Sequence, residues 1–217
     1  MKHASDAILR TEQAAYLEGL ERPRDALLAK MEKLAAERRL PISDPEVASF
    51  LAVTARARAP RLIVELGTNI GYGAIVLARA AGPEAKVVTI ELSEELVKTA
   101  RGFIEEAGLS SRITVVKGAT TTELEAMKGP IDMAYVDCVK EEYVRYLELL
   151  VPRLGARGVL VADNVLWQGH VANLDAAGKE ASRARALGAF NAALVGHPEM
   201  RAVVLPLGDG VAYAVKT

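Results

Sequence analysis

Two apolar runs in this chain end abruptly in oxygen-bearing side chains. Ile131-Asp132-Met133-Ala134-Tyr135-Val136 leads into Asp137, and Gly158-Val159-Leu160-Val161-Ala162 leads into Asp163-Asn164. Short apolar runs bounded by polar residues read as buried strands of a parallel sheet. In open α/β sheets the carboxyl ends of the strands form the ligand crevice, so Asp137, Asp163 and Asn164 are predicted to converge on one edge. Two carboxylates and an amide make a hard, all-oxygen set suited to magnesium, calcium or manganese. Lys140, three residues past Asp137, lies one helical turn on, and its amine can reach the same spot. Taken singly, each Asp would serve as a helix N-cap and Lys140 as the partner of Glu141 or Glu142 in a surface ion pair. Taken together they point to a divalent-cation site.

The elements that must hold these residues follow from the rest of the chain. Its 217 residues, 51% of them hydrophobic, fill one core and are short for two, so one domain is expected, with 1–40 a helical cap and 41–217 the core. A net charge of −1 supplies no strong field to gather nucleic acid. The single cysteine, Cys138, excludes an internal disulfide framework and suits a reducing cytoplasm, where it reads as a small strand-end filler. No signal-peptide pattern and no apolar stretch approaching 18 residues is present, so a cytoplasmic protein with no membrane partner is expected. His3, His170 and His197 have no metal-binding spacing.

From about Ser5 to Arg39 the pattern is one or two helices, broken near Arg22-Pro23. These helices would cover the active-site edge or make a contact between two copies of the chain, and a homodimer is expected. Ser43 with Glu46 fits a capping box, whereas Asp44 followed by Pro45 fits an N-cap with proline in the first turn; either starts a helix that runs to about Arg58. Strand, turn and helix then repeat. Strands are predicted at 62–66, 87–91 and 113–117, and at the two runs described first. Helices are predicted after Gly73, at 93–107, at 141–150 and at 181–194. A closing pair of strands, 200–205 and 211–215, is joined by Pro206-Leu207-Gly208-Asp209-Gly210. Alternating βα units of this kind make a three-layer α/β/α sandwich.

The first βα turn carries Gly67, Gly71 and Gly73, which let a ligand approach backbone at a helix start. The spacing is GxxxGxG and matches neither the dinucleotide fingerprint nor a P-loop. Glu91, ending the second strand, is placed to accept from both hydroxyls of a ribose. Glu65, just before the turn, would repel a pyrophosphate and attract a cationic head such as the amino group of S-adenosylmethionine. That combination disfavours a nicotinamide-dependent oxidoreductase.

Glu65-Leu66-Gly67-Thr68-Asn69-Ile70-Gly71-Tyr72, Thr89-Ile90-Glu91, Asp137 with Lys140, Asp163-Asn164-Val165-Leu166-Trp167-Gln168-Gly169 and Leu205-Pro206-Leu207-Gly208-Asp209-Gly210 together resemble the cation-dependent O-methyltransferases, the family of the catechol and caffeoyl-coenzyme A enzymes. The resemblance runs from about Leu40 to the end of the chain. It implies a Rossmann-like methyltransferase fold, with a mostly parallel seven-stranded sheet and an antiparallel C-terminal strand. It also implies S-adenosylmethionine as cofactor and a divalent cation, magnesium with manganese or calcium as substitutes, held by Asp137, Asp163 and Asn164. By the same resemblance Glu91 holds the cofactor's ribose and Ala119 with Thr120 the adenine, and Leu92 and Gly118 also bind the cofactor. Ile42, Ser43, Glu65, Gly67 and Thr68 surround its methionine part, and Tyr72, Gly73 and Asp137 are further cofactor-binding residues. Lys140 would be the general base, with Lys140, Asn164 and Trp167 facing a small catechol-like acceptor. Departures are visible as well. Gly73 stands where relatives usually have Ser, and Cys138-Val139 replaces the His-Trp pair of the animal catechol enzymes. Some bacterial relatives methylate a hydroxylated uridine in transfer RNA, a reading that the basic residues between Arg22 and Arg61 permit and the overall acidity disfavours.

Overall fold

β1 (Leu62–Leu66) is an interior strand, third in order, of a seven-stranded sheet, and the order of its neighbours places the ligand crevice. The chain first works outward through β2 (Lys86–Glu91) and β3 (Ile113–Lys117). It then crosses back to β4 (Ile131–Val136) and β5 (Leu154–Ala162) on the other side of β1. These five strands are mutually parallel, and β1 and β4 flank the point where the strand order reverses. β6 (Met200–Leu205) and β7 (Val211–Lys216) close the sheet as an antiparallel pair, with β7 inserted antiparallel to β5. The full order is β3-β2-β1-β4-β5-β7-β6, the expected sandwich with its antiparallel C-terminal strand. Register puts the strand ends level: Leu66 pairs with Ile90 and Val136, and Val136 with Ala162. The residues that follow each strand therefore share one rim.

The computed structural model describes residues 11–20 and 25–217. The helix start expected near Ser5, and the break at Arg22-Pro23, lie outside them. Two N-terminal helices are described, α1 (Thr11–Gly19) and α2 (Ala26–Arg38). Asp25 caps α2 by accepting from the N–H groups of Leu27 and Leu28. α3 (Pro45–Arg58) begins at Asp44 with Pro45 in its first turn and without a side-chain capping bond. The alternative capping box does not form, because the Ser43 hydroxyl is committed elsewhere, to Tyr135. α4 (Tyr72–Ala81), α5 (Glu94–Glu106), α6 (Thr120–Ala126), α7 (Tyr143–Leu150) and α8 (Ala181–Val195) follow their strands. α7 starts two residues later than expected, since Lys140–Glu142 forms a separate 3-10 turn. α5 illustrates the periodicity: Ser93 caps it, Val97, Ala100, Phe103 and Ile104 face inward, and Gly108 ends it at φ 69°.

Each face of the sheet carries its own core. Ile63, Val87 and Val161 pack against Ile75, Val97 and Leu51 on one side. Val64, Ile90 and Leu160 pack against Tyr143, Leu187 and Phe190 on the other. Among the described residues no helix is long and apolar enough to cross a membrane.

Candidate active site

The rim is built by backbone before any side chain acts. Asp137 N–H donates to the Leu66 carbonyl, and Asp163 N–H to that of Val136, both at 2.9 Å, so the sheet ladder runs one residue past each strand. Gly67 adopts φ 99°, and a Cβ there would overlap the Asp137 carbonyl oxygen. Only glycine lets the β1–α4 turn lie against the end of β4.

Lys140 is the hub of the acceptor side. Its Nζ donates to Asp137 Oδ1 at 2.6 Å, Asn164 Oδ1 at 2.8 Å and the Tyr143 hydroxyl at 2.9 Å, and the residue is 8% exposed. The surface ion pair with Glu141 or Glu142 is not formed. Glu141 lies 3.4 Å from Arg183, and Glu142 accepts from Tyr146 and Thr121. Asp163 is buried; its Oδ1 accepts from the Asn164 N–H at 2.7 Å and its Oδ2 from the Tyr135 hydroxyl at 3.2 Å. Burial holds the Asp163 carboxyl above the usual carboxylate range, and the charge of Asp137 pushes the same way. Tyr143 donates to the Asp163 carbonyl at 3.0 Å. Its hydroxyl is kept protonated by burial, which raises it well above the ordinary phenol.

The donor set fits a cation. Asp137 and Asn164 converge through oxygen on one ammonium, that of Lys140, and Asp163 lies close enough to feel the charges of both Asp137 and Lys140. Among the described residues no three His, Cys, Asp or Glu side chains form a metal-binding group.

Asn164, Trp167 and Gln168 adopt φ of 57°, 48° and 54°. Left-handed backbone at non-glycine residues costs roughly 1–3 kcal/mol each and clusters at functional sites. The strain presents the Trp167 ring between two cations, 6.0 Å from Lys140 Nζ and 5.6 Å from the Arg183 guanidinium, with the indole N–H held by Glu180 at 3.0 Å. Beyond the ring a pocket of about 540 Å³ is lined by Trp167, His170, Lys179 and Arg183.

On the cofactor side, Glu65 is buried and accepts from the Thr89 hydroxyl at 2.5 Å, which in turn accepts from Thr68 at 2.6 Å. Burial pushes the Glu65 carboxyl up to about 8 against the opposing effect of the Thr89 bond. A Cβ on Gly73 would overlap Glu65 Oε1, so the missing side chain at 73 is what makes room for this carboxylate. Glu91 is clamped through both oxygens, by the N–H groups of Asn69 and Ser93 at 2.9 Å, and still has lone pairs for two hydroxyls. Gly118 N–H donates to the Glu91 carbonyl, and the Thr120 hydroxyl lies 3.3 Å from Cys138 Sγ, with Ala119 between them as the N-cap of α6. Ile42 is half-buried beside Ser43, and the Asn69 amide donates to the Pro41 carbonyl, tying that segment to the first turn.

Two expected residues stand apart in their side chains. The Tyr72 hydroxyl donates to Glu32 of α2 at 2.6 Å, and Leu92 points to solvent. Three were missed: Tyr135, Tyr143 and Thr89. Each had a signal in spacing, since Tyr135 and Thr89 lie two residues before Asp137 and Glu91 on their strands, and Tyr143 one turn after Lys140. Tyr135 links the two halves of the site, its hydroxyl lying 2.8 Å from that of Ser43 while donating to Asp163.

The chain is similar to a catechol O-methyltransferase of Niastella koreensis, 33% identical over 202 residues that cover 88% of this chain and 90% of that one. It is 32% identical over 178 residues to tricin synthase 2 of Oryza sativa subsp. japonica, covering 78% of this chain but spanning only 61% of the rice protein. The crystal structure of the O-methyltransferase from Bacillus cereus in complex with SAH superimposes with a TM-score of 0.84 at 28% identity, over 95% of this chain and 98% of that one. The family model described as O-methyltransferase matches residues 21–217, so the chain belongs to the O-methyltransferase family.

Proposed function

We propose that the protein transfers the methyl group of S-adenosylmethionine to one hydroxyl of a small aromatic vicinal diol, with a divalent cation bound by Asp137, Asp163 and Asn164. The observation that carries this reading is the Lys140 ammonium, held by Asp137 and Asn164 on the same rim as the buried Glu65. When bound, S-adenosylmethionine supplies an electrophilic methyl on a sulfonium, and the cation supplies Lewis acidity toward the diol oxygens. Glu91 accepts from the ribose hydroxyls, and Glu65, ionised on meeting the amino group, anchors the methionine end. Lys140, once its ammonium has given a proton to solvent, accepts the hydroxyl proton. The oxygen lone pair then forms the O–C bond while the C–S pair stays on sulfur. Asp137 and Tyr143 orient the Lys140 amine, and Trp167 walls the acceptor. Holding both reactants in line is worth roughly 7–11 kcal/mol of barrier, and a positioned base about 10²–10⁴ in rate.

The test is transfer of labelled methyl to catechol, caffeate and transfer RNA, with and without EDTA. Methylated diol that vanishes with EDTA and returns with magnesium is expected. Label on transfer RNA alone would refute the acceptor, and turnover indifferent to EDTA would refute the cation.

A further inference from the structure

Tyr135 takes no part in the transfer itself, yet its hydroxyl is engaged by both halves of the site. Register sets Thr89, Glu65, Tyr135 and Val161 side by side across β2, β1, β4 and β5. Their side chains therefore share one face of the sheet. The Tyr135 ring lies against the start of α4, where a Cβ on Gly73 would come within 3.4 Å of it. Its hydroxyl ends between Ser43 on the cofactor side and Asp163 on the acceptor side. All three residues are buried. A phenylalanine would fill the same space with no polar atom to satisfy, so the hydroxyl adds a connection rather than packing.

The connection has a direction. A phenol carries one proton, and Tyr135 gives it to Asp163 Oδ2 at 3.2 Å. Ser43, 2.8 Å away, must then be the donor to Tyr135. The Ser43 hydroxyl thus spends its proton inward and keeps its lone pairs for a donor on the cofactor side, such as the ammonium of a methionine. Fully satisfied, a buried network of this kind holds one arrangement. Ser43 also belongs to residues 40–44, which form neither helix nor strand. That segment is tied to the first βα turn through Pro41 and Asn69, and to β4 through Ser43 and Tyr135.

We propose, resting on the cofactor and cation sites of the preceding reading, that Tyr135 is the positioning residue that couples them. A cation that fixes the Asp163 carboxylate fixes Tyr135, and through it Ser43 and the segment at the methionine end of the cofactor. S-adenosylmethionine arriving first holds the same segment and presents Asp163 to the cation already oriented. Each ligand helps the other by one and the same factor, as linkage requires. A factor of at least about five is expected, the lower end of such couplings.

Calorimetric titration of S-adenosylmethionine into the full chain, with and without magnesium, gives two dissociation constants whose ratio is the coupling. Magnesium titrated into the cofactor-loaded and cofactor-free protein gives the same ratio from the other side. Tyr135→Phe and Ser43→Ala are each expected to remove most of this factor of about five or more while both ligands still bind. Tyr135→Phe changes no charge, so direct attraction or repulsion between the ligands survives it, and what is lost belongs to the hydroxyl. Ser43→Ala leaves Asp163 its phenol donor, which separates the relay from damage at the cation ligand. A role in packing alone would move both constants together, or Tm, and leave the ratio where it was. A wild-type ratio near one, or a ratio that either variant retains, overturns the coupling and leaves the transferase reading standing. Failure of the wild type to bind S-adenosylmethionine or magnesium overturns that reading, and the coupling falls with it.

Discussion

The residues that carry the chemistry are held by partners that are themselves buried, and this sets what substitution will show. Lys140→Ala leaves Glu65 and Glu91 untouched, so cofactor affinity by calorimetry should change little while turnover drops by about 10²–10⁴. Equal losses in both would place Lys140 in the scaffold instead. Glu65 gives a pH signature. Its folded carboxyl sits at about 8 against the ordinary 4.5. It binds its proton more tightly folded than unfolded, so its contribution is fully present below about 4.5 and lost as pH rises through 8. Each pKa unit is worth about 1.4 kcal/mol, which makes the swing a few kcal/mol. Glu65→Gln should therefore gain on the wild type in Tm from pH 5 to pH 8.5, and a gap constant with pH would show that Glu65 does not titrate in this range.

At the scale of elements, the β1–α4 turn brings the cofactor side and the acceptor side together. Gly67→Ala places a methyl against the Asp137 carbonyl at a φ that alanine resists. Overpacking of this kind costs typically about 1–3 kcal/mol, or roughly 2–12 °C in Tm for a domain of this size. The substitution should also weaken cofactor and acceptor binding together, since the turn can move only by displacing the end of β4. A variant with wild-type Tm and affinity would show the turn to be more pliant than its packing. The Trp167 segment works in the opposite sense. Three left-handed residues in succession to β5 carry strain, and Glu180 and Asp209 hold it from outside through Trp167 and Gln168.

For the whole molecule, the two halves of the site lie on opposite sides of the point where strand order reverses, and ligands should stabilise the fold through that junction. At about 100 times its dissociation constant a ligand adds about 2.7 kcal/mol, or roughly 5–10 °C in Tm for a domain of this size. S-adenosylmethionine should produce that shift in thermal denaturation and NAD should not, because the buried Glu65 opposes a pyrophosphate. A shift with NAD alone would contradict the reading of the first turn.

Much of this was legible in the residues themselves. Strand and turn periodicity located β1 to β7, because hydrophobic alternation and glycine punctuation are local properties. Asp137, Asp163, Asn164 and Glu91 could be placed on one rim because parallel strands end at a common level. Other features had no local cause. Ser43 carried equal capping signals with Asp44, and the choice was made by Tyr135, 92 residues away. The room that Gly73 leaves for Glu65 and the three bonds that draw Lys140 off the surface depend on which chain segments meet across the sheet. Packing between distant segments decided them, since a side chain's partners and its exposure to water are settled only when the layers close.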